Sequence, residues 1–148
     1  MQVPNEALVL VADGRKMLFL RNKGDEALID LRVENHREQD NPAIRDQATD
    51  APGRSISSVG SARSAMEPTD FHQLQEDRFA AEAAELLRKR ALSNDFEQLI
   101  IVAPPRTLGE LRKHYHKTVE ARLIAEIDKD LTGMAIPTIE QNITARQI

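Results

Sequence analysis

Two groups of cations give this chain its clearest chemistry. The first lies in Gly53–Pro68 (GRSISSVGSARSAMEP), where Arg54 and Arg63 stand among five serines, with no acid between Gly53 and Met66. The second is Pro104–Val119, where Arg106, Arg112, Lys113 and Lys117 face the single acid Glu110. The chain as a whole carries a net charge of −4, so both groups run against its balance. A guanidinium presents a planar fork of donors that matches a phosphate, and a row of cations neutralises a nucleic-acid backbone. The candidate ligand-binding set is therefore Arg54, Ser58, Arg63, Arg106, Thr107, Arg112, Lys113 and Lys117. Thr107 belongs to it because the unpaired N–H groups of a helix start favour anions. A solvated basic helix face accounts for the second group about as well. Tyr115 offers a ring for base stacking, although a lone tyrosine more often packs partly into a core.

Other chemistries are poorly supplied. There is no cysteine, so thiolate zinc sites, disulfides and thiol nucleophiles are absent. His114 and His116 are two apart, which on a helix turns them about 200° from each other. His36 and His72 lack the spacing of metal ligands, and hydrogen-bonding or solvated roles fit all four histidines better. Asp13 follows the first apolar run, where a two-metal nuclease would hold one carboxylate, but Ala103-Pro104-Pro105 leaves the next strand end without an acid, and Glu76 or Asp77 lying nearby still leaves the set incomplete. A turn role suits Asp13-Gly14 better. The serines sit in no Gly-x-Ser-x-Gly elbow. No metal, no cofactor and no complete catalytic set is expected.

The elements that would position these residues follow from hydrophobic patterning. Ala7–Ala12 (ALVLVA) reads as a strand buried on both faces, closed by the two-residue hairpin signal Asp13-Gly14. Lys16–Arg21 is the second strand and the alternating Ala27–Val33 the third, with Ile29, Leu31 and Val33 facing inward. Residues 35–69 carry Pro42, Pro52 and Pro68 and little periodicity, and read as a long loop. Asp70 with Gln73 opens the longest helix, and Ser93-Asn94-Asp95 ends it. Phe96–Ala103 is a fourth strand. Thr107 with Glu110 forms a second capping box, for a helix to about Tyr115. His116–Arg122 allows one more helical turn, Leu123–Asp128 is a fifth strand, and Pro137 begins a last helix with Ile139 and Ile143 inward.

Two hairpins followed by right-handed helical crossovers give βββαβαβα and a five-stranded mixed sheet of order 3-2-1-4-5, an α/β fold of ribonuclease-H-like topology. At 148 residues the chain is read as a single domain, 1–148. Met1–Glu6 has no basic side chain, and Ala7–Ala12 is too short for the apolar part of an export signal. No stretch approaches the roughly 20 apolar residues of a membrane span. The expectation is a cytoplasmic protein with no membrane partner.

Several runs then resemble a known family. Asp50–Ser55 (DAPGRS), Ser58–Pro68, Phe79-Ala80-x-Glu82, Val102–Arg112 (VAPPRTLGELR), Ala125–Thr132 (AEIDKDLT) and Val11–Gly14 (VADG) are similar to the bacterial host attachment proteins. That family commonly has histidine where this chain has Ser64. It is distantly similar to the middle domain of archaeal and eukaryotic class I release factors, which shares the topology above. In that domain a long loop before the main helix carries Gly-Gly-Gln, which promotes peptidyl-tRNA hydrolysis at the ribosome. Gly53–Pro68 lies in the corresponding place but lacks Gly-Gly-Gln, and Gln73 and Gln75 follow no paired glycines. The resemblance implies a release-factor-like module that binds ribosomal or transfer RNA, or another phosphate-bearing ligand. The alternatives are a hydrolase of peptidyl-tRNA or a phosphoester, and a protein-interaction module, with protein partners, in host attachment or its regulation.

Overall fold

The computed structural model describes residues 1–38 and 68–145, leaving the side chains of residues 35–38 and 68–73 outside that description. The elements are β1 (Leu8–Ala12), β2 (Lys16–Asn22), β3 (Leu31–Glu38), α1 (Pro68–Leu92), β4 (Leu99–Val102), α2 (Pro105–Arg112), α3 (Lys117–Glu120), β5 (Leu123–Ile127) and α4 (Ile136–Thr144). They form one five-stranded sheet of order β3-β2-β1-β4-β5. β1–β2 and β2–β3 are antiparallel, while β1–β4 and β4–β5 are parallel. The expected mixed α/β sheet is the one observed.

The period-two alternation of strands divides the apolar residues between two cores. Leu8, Leu10 and Ala12 of β1 point to one face with Met17, Phe19, Leu99 and Ile101. There they meet Phe79, Ala80, Ala83, Leu87 and Ala91 of α1, spaced three and four apart as a helix requires. Val9 and Val11 point to the other face with Leu20, Ile100, Val102 and Ile127, against Ile139 and Ile143 of α4. β1 is buried throughout because both faces are covered. α1 ends as expected: Asn94 takes the left-handed conformation (φ 57°) that closes a helix carboxyl end.

β3 departs from expectation. The alternation predicts a strand over Ala27–Val33, but Asp25 Oδ1 accepts the N–H groups of Ala27 (2.9 Å) and Leu28 (2.8 Å), and Asp25 N–H donates to the Leu28 carbonyl (2.9 Å). This side-chain turn captures the segment before a strand can start, and leaves Leu28 77% exposed. A Cβ on Gly24 would lie 1.9 Å from the Leu28 oxygen, so the turn admits only glycine there. β3 then pairs with a bulge: Phe19 faces Asn35 and Leu20 faces Val33, so Glu34 is the extra residue. Leu31 is buried as expected, whereas Val33 is exposed. α2 differs as well. It begins at Pro105 without a side-chain cap, so Thr107 is its third residue and the Thr107–Glu110 capping box does not form. Proline fits the first helical position because its ring presets φ and it has no N–H to satisfy there.

The bulge places Glu34 in a four-membered ion network at the amino-terminal end of β1. All five N–H groups of Arg21, which is 4% exposed, have acceptors. Nε donates to Glu34 at 3.2 Å, Nη1 to the Asp95 and Glu6 carbonyls at 2.8 and 3.2 Å, and Nη2 to the Asp95 and Glu34 carboxylates at 2.8 and 3.2 Å. Arg90 of α1 binds the same two carboxylates, and its guanidinium lies 5.2 Å from the centre of the Phe19 ring. Burial pushes both carboxyl groups up, but hydrogen bonds and charge from Arg21 and Arg90 outweigh it and hold Glu34 and Asp95 below their ordinary values. A lowered folded pKa adds stability above the unfolded value of about 4, lost as pH falls through the folded value. Acid unfolding should therefore begin below about pH 4 and become shallower in Glu34→Gln. Arg21→Leu should cost about 2 kcal/mol in urea titration, less than for a fully buried pair, because Arg90 still serves both acids. A cost under about 0.5 kcal/mol would show the network to be incidental.

Candidate functional site

The parallel strands β1, β4 and β5 all end on the opposite edge of the sheet, and their exits carry the chemistry singled out in the sequence. Asp13-Gly14 follows β1, Pro104-Pro105-Arg106 follows β4 and Asp128–Thr132 follows β5. β1 pairs antiparallel with β2 and parallel with β4, so the strand order reverses beside it, where open α/β sheets favour ligands. Glu38 and Glu76 lie at the same edge. Glu38, at the end of β3, pairs with Lys16 next to the β1–β2 turn, and Glu76 in the early part of α1 lies against Gly14 of that turn. Arg54, Ser58 and Arg63 lie outside the described residues.

Asp13 is a turn residue. Its Oδ1 accepts the N–H groups of Arg15 and Lys16, each at 2.7 Å, and its N–H donates to the Lys16 carbonyl at 2.9 Å. The turn is therefore centred on Gly14-Arg15, with Asp13 at the first position, where aspartate suits a common turn. Thr132 Oγ1 lies 2.9 Å from Asp13 Oδ2 and 2.8 Å from Asp130 Oδ1, and its one proton serves either carboxylate. Among the described residues no group of three or more His, Asp or Glu is placed to hold a metal ion.

The cations of Arg106–Lys117 divide into two kinds. Arg106 is 64% exposed in the first turn of α2, its Nε 3.7 Å from Glu76 Oε2. Lys117 is exposed at the start of α3. Arg112 is bound tightly to Glu126 of β5, with Nη2 and Nε 2.7 and 3.1 Å from Oε1. Lys113 pairs with Glu110 one turn back at 3.2 Å. The second cationic group thus carries more internal compensation than its composition suggested. Thr107 sits half-buried in the first turn of α2.

Tyr115 packs against the α1-side core and donates to Glu126 Oε2 at 2.9 Å, the partly buried role weighed against stacking. The histidines also take hydrogen-bonding roles where described. His114 Nε2 lies 3.3 Å from Asp77 Oδ1, and His116 Nδ1 accepts the Thr118 N–H at 3.2 Å to cap α3. Glu76, weighed with Asp77 as an acid near the strand ends, does lie there, against Gly14 and 3.7 Å from Arg106, 62 residues before it and 30 after it. Glu126 was missed, although it had a signal, an acid in the otherwise apolar Leu123–Ile127 at a position facing a helix.

Burial, and then the charge of Glu126, push the Tyr115 hydroxyl well above the ordinary tyrosine value. A raised folded pKa gives stability present below about pH 10 and lost as pH rises through the folded value. The chain has one tyrosine and no tryptophan, so ultraviolet titration reads this group alone. Its ionisation should fall outside the ordinary range and coincide with alkaline unfolding, and Glu126→Gln should bring it down. An ordinary, unchanged titration in Glu126→Gln would mean that the Tyr115–Glu126 contact is absent in solution.

None of the curated proteins compared with the chain matches it. No described helix is long and apolar enough to cross a membrane. A family model does match, over residues 6–143, and takes in the strand-end runs Val11–Gly14, Val102–Arg112 and Ala125–Thr132 together with the sheet that holds them. The release-factor side of the resemblance is thereby met: the chain belongs to the bacterial archaeo-eukaryotic release factor family 12.

Proposed function

We propose that this release-factor-like module binds RNA at the ribosome, through the Arg54, Ser58 and Arg63 segment and the face that carries Arg106, Thr107, Arg112, Lys113 and Lys117. One observation carries the reading. Glu38 at the end of β3, Glu76 of α1 and the exposed Arg106 share the edge where the parallel strands end. A phosphodiester backbone is the ligand that several separated cations recognise without base contacts. The family description, which concerns release factors, supports the same partner. The reading is one of binding, in the cytoplasm. The chain has no paired glycines and so no Gly-Gly-Gln with which to promote peptidyl-tRNA hydrolysis.

Arg112 and Lys113 hold carboxylates at 2.7 and 3.2 Å, and Arg106 and Lys117 are exposed on the same face. Co-sedimentation with bacterial ribosomes should place the protein in the pellet at low salt and release it as salt rises from roughly 50 to 200 mM. Arg106→Ala and Lys117→Ala should each weaken binding and lower the salt slope by about one. Absence from the ribosomal fraction at low salt would overturn the reading. Recovery with protein partners and no RNA would favour the attachment-linked interaction module in its place.

A further inference from the structure

The guanidinium of Arg112 is engaged on one side only. Its Nε and Nη2 donate to Glu126 Oε1 at 3.1 and 2.7 Å, so the fork along the side of the group is filled. Nη1 has no partner among the described residues, and the Arg112 side chain is 56% exposed. Nη1 and the second N–H of Nη2 form another pair of parallel donors, of the spacing that takes two oxygens of one phosphate.

Glu126 is itself held in place. It lies in β5, is 20% exposed, and its other oxygen, Oε2, accepts the Tyr115 hydroxyl at 2.9 Å. Tyr115, in the connection from α2 to α3, packs against the α1-side core. A chain of contacts therefore runs from the core through Tyr115 and Glu126 to Arg112. It ties α2 to β5, and it also fixes the plane of a guanidinium that would otherwise turn about several single bonds. Glu126 thus has two opposite effects on a phosphate. Its charge weakens the attraction of the face. Its hold on Arg112 spares the loss of side-chain freedom on binding and aims a two-oxygen fork at solvent. Lys113 gives the contrast, an exposed point charge on a flexible stem, paired with Glu110 one turn back.

We propose that Glu126 and Tyr115 are positioning residues of this face: they set the Arg112 guanidinium so that its Nη1–Nη2 fork takes the two unesterified oxygens of one phosphodiester of bound RNA. This rests on the RNA-binding reading and names the atoms that make its bidentate contact. Arg112 fixes one phosphate by geometry, and the other cations of the face contribute charge.

The test is ribosome co-sedimentation, titrated at low salt, on the intact chain and its variants. Arg112→Lys keeps the charge and loses the fork, and should lower affinity about tenfold, close to Arg112→Ala. Glu126→Ala removes a negative charge from the face yet should weaken binding about fivefold, the cost of a side chain no longer held in advance. Glu126→Gln, which keeps an oxygen for Arg112, should restore affinity to the wild-type level or above it. Tyr115→Phe, which leaves the charge unchanged, should weaken binding about two- to threefold. Beside Arg112→Ala, neither Glu126→Ala nor Tyr115→Phe should lower affinity further. Thermal unfolding of each variant shows whether the fold is kept, and Tyr115→Phe, which retains the ring in the core, decides the matter should Glu126→Ala unfold. Tighter binding by both Glu126→Ala and Glu126→Gln would reduce Glu126 to a counter-charge and overturn the positioning role. So would wild-type affinity in Arg112→Lys or in Tyr115→Phe. With Arg106→Ala and Lys117→Ala still weakening the complex, any of these outcomes leaves the RNA reading standing. Absence of every form from the ribosomal fraction at low salt would remove both.

Discussion

Burial of β1 on both faces is the constraint on which the rest of this molecule depends. Five consecutive apolar residues, Leu8–Ala12, must be covered above and below, so one helix layer is never enough. α1 meets the even-numbered side chains and α4 the odd-numbered ones. Strands on both sides must then satisfy the β1 backbone, antiparallel β2 on one side and parallel β4 on the other. The parallel pair requires a crossover, and α1 is that crossover. It returns the chain along the sheet, passing Gly14 at Glu76 and ending near Arg21. Sheet order, helix placement and the location of both ends of the molecule's chemistry follow from this one strand.

The two edges of the sheet are held in contrasting ways. At the amino-terminal end of β1, two arginines and two carboxylates share bonds of 2.5–3.2 Å, with Arg21 fully partnered and nearly sealed from solvent. Asn22 beside it is wholly buried, donates to the Val3 and Pro4 carbonyls and accepts the N–H groups of Gly24 and Asp30. Such groups cannot move without stranding buried polar atoms, so this edge is rigid by construction. The carboxyl-terminal edge is joined by more exposed contacts: a threonine between two aspartates, Glu76 against Gly14, and Glu76 Oε2 3.7 Å from Arg106.

The fold was legible because its main signals are local and repetitive. Two-sided burial of ALVLVA, the helical spacing of Phe79, Ala83 and Leu87 and the Ile139–Ile143 pair each declare their element within a few residues. The misreadings arose where a single side chain overrode a pattern. Asp25 bonded its own backbone and pushed β3 towards the carboxyl end, and Pro105 took the helix start that Thr107 was expected to cap. The candidate site was legible only as charge. Composition identified Arg106 and Arg112 as cations, but the difference between them lies in Glu76 and Glu126, brought in by α1 and β5. Counter-charges arriving across long sequence separations leave no mark on a local window.

That difference bears on how the family's runs should be understood. Val11–Gly14, Val102–Arg112 and Ala125–Thr132 each join the end of a parallel strand to the turn or helix after it, and all three meet at one edge. Within them the buried residues Val11, Val102 and Ile127 build the sheet, so their presence reports the fold. Gly14, Arg106 and Arg112 contribute nothing to either apolar core. Arg112 is accounted for by its bond to Glu126, which ties α2 to β5. The turn after β1 closes through Asp13, and Gly14 leaves room there for Glu76 of α1, whose Oε2 stands 3.7 Å from Arg106 Nε. Glu76 thus meets both the glycine of the turn after β1 and the first turn of the helix after β4, and joins α1 to the two parallel-strand exits at this edge.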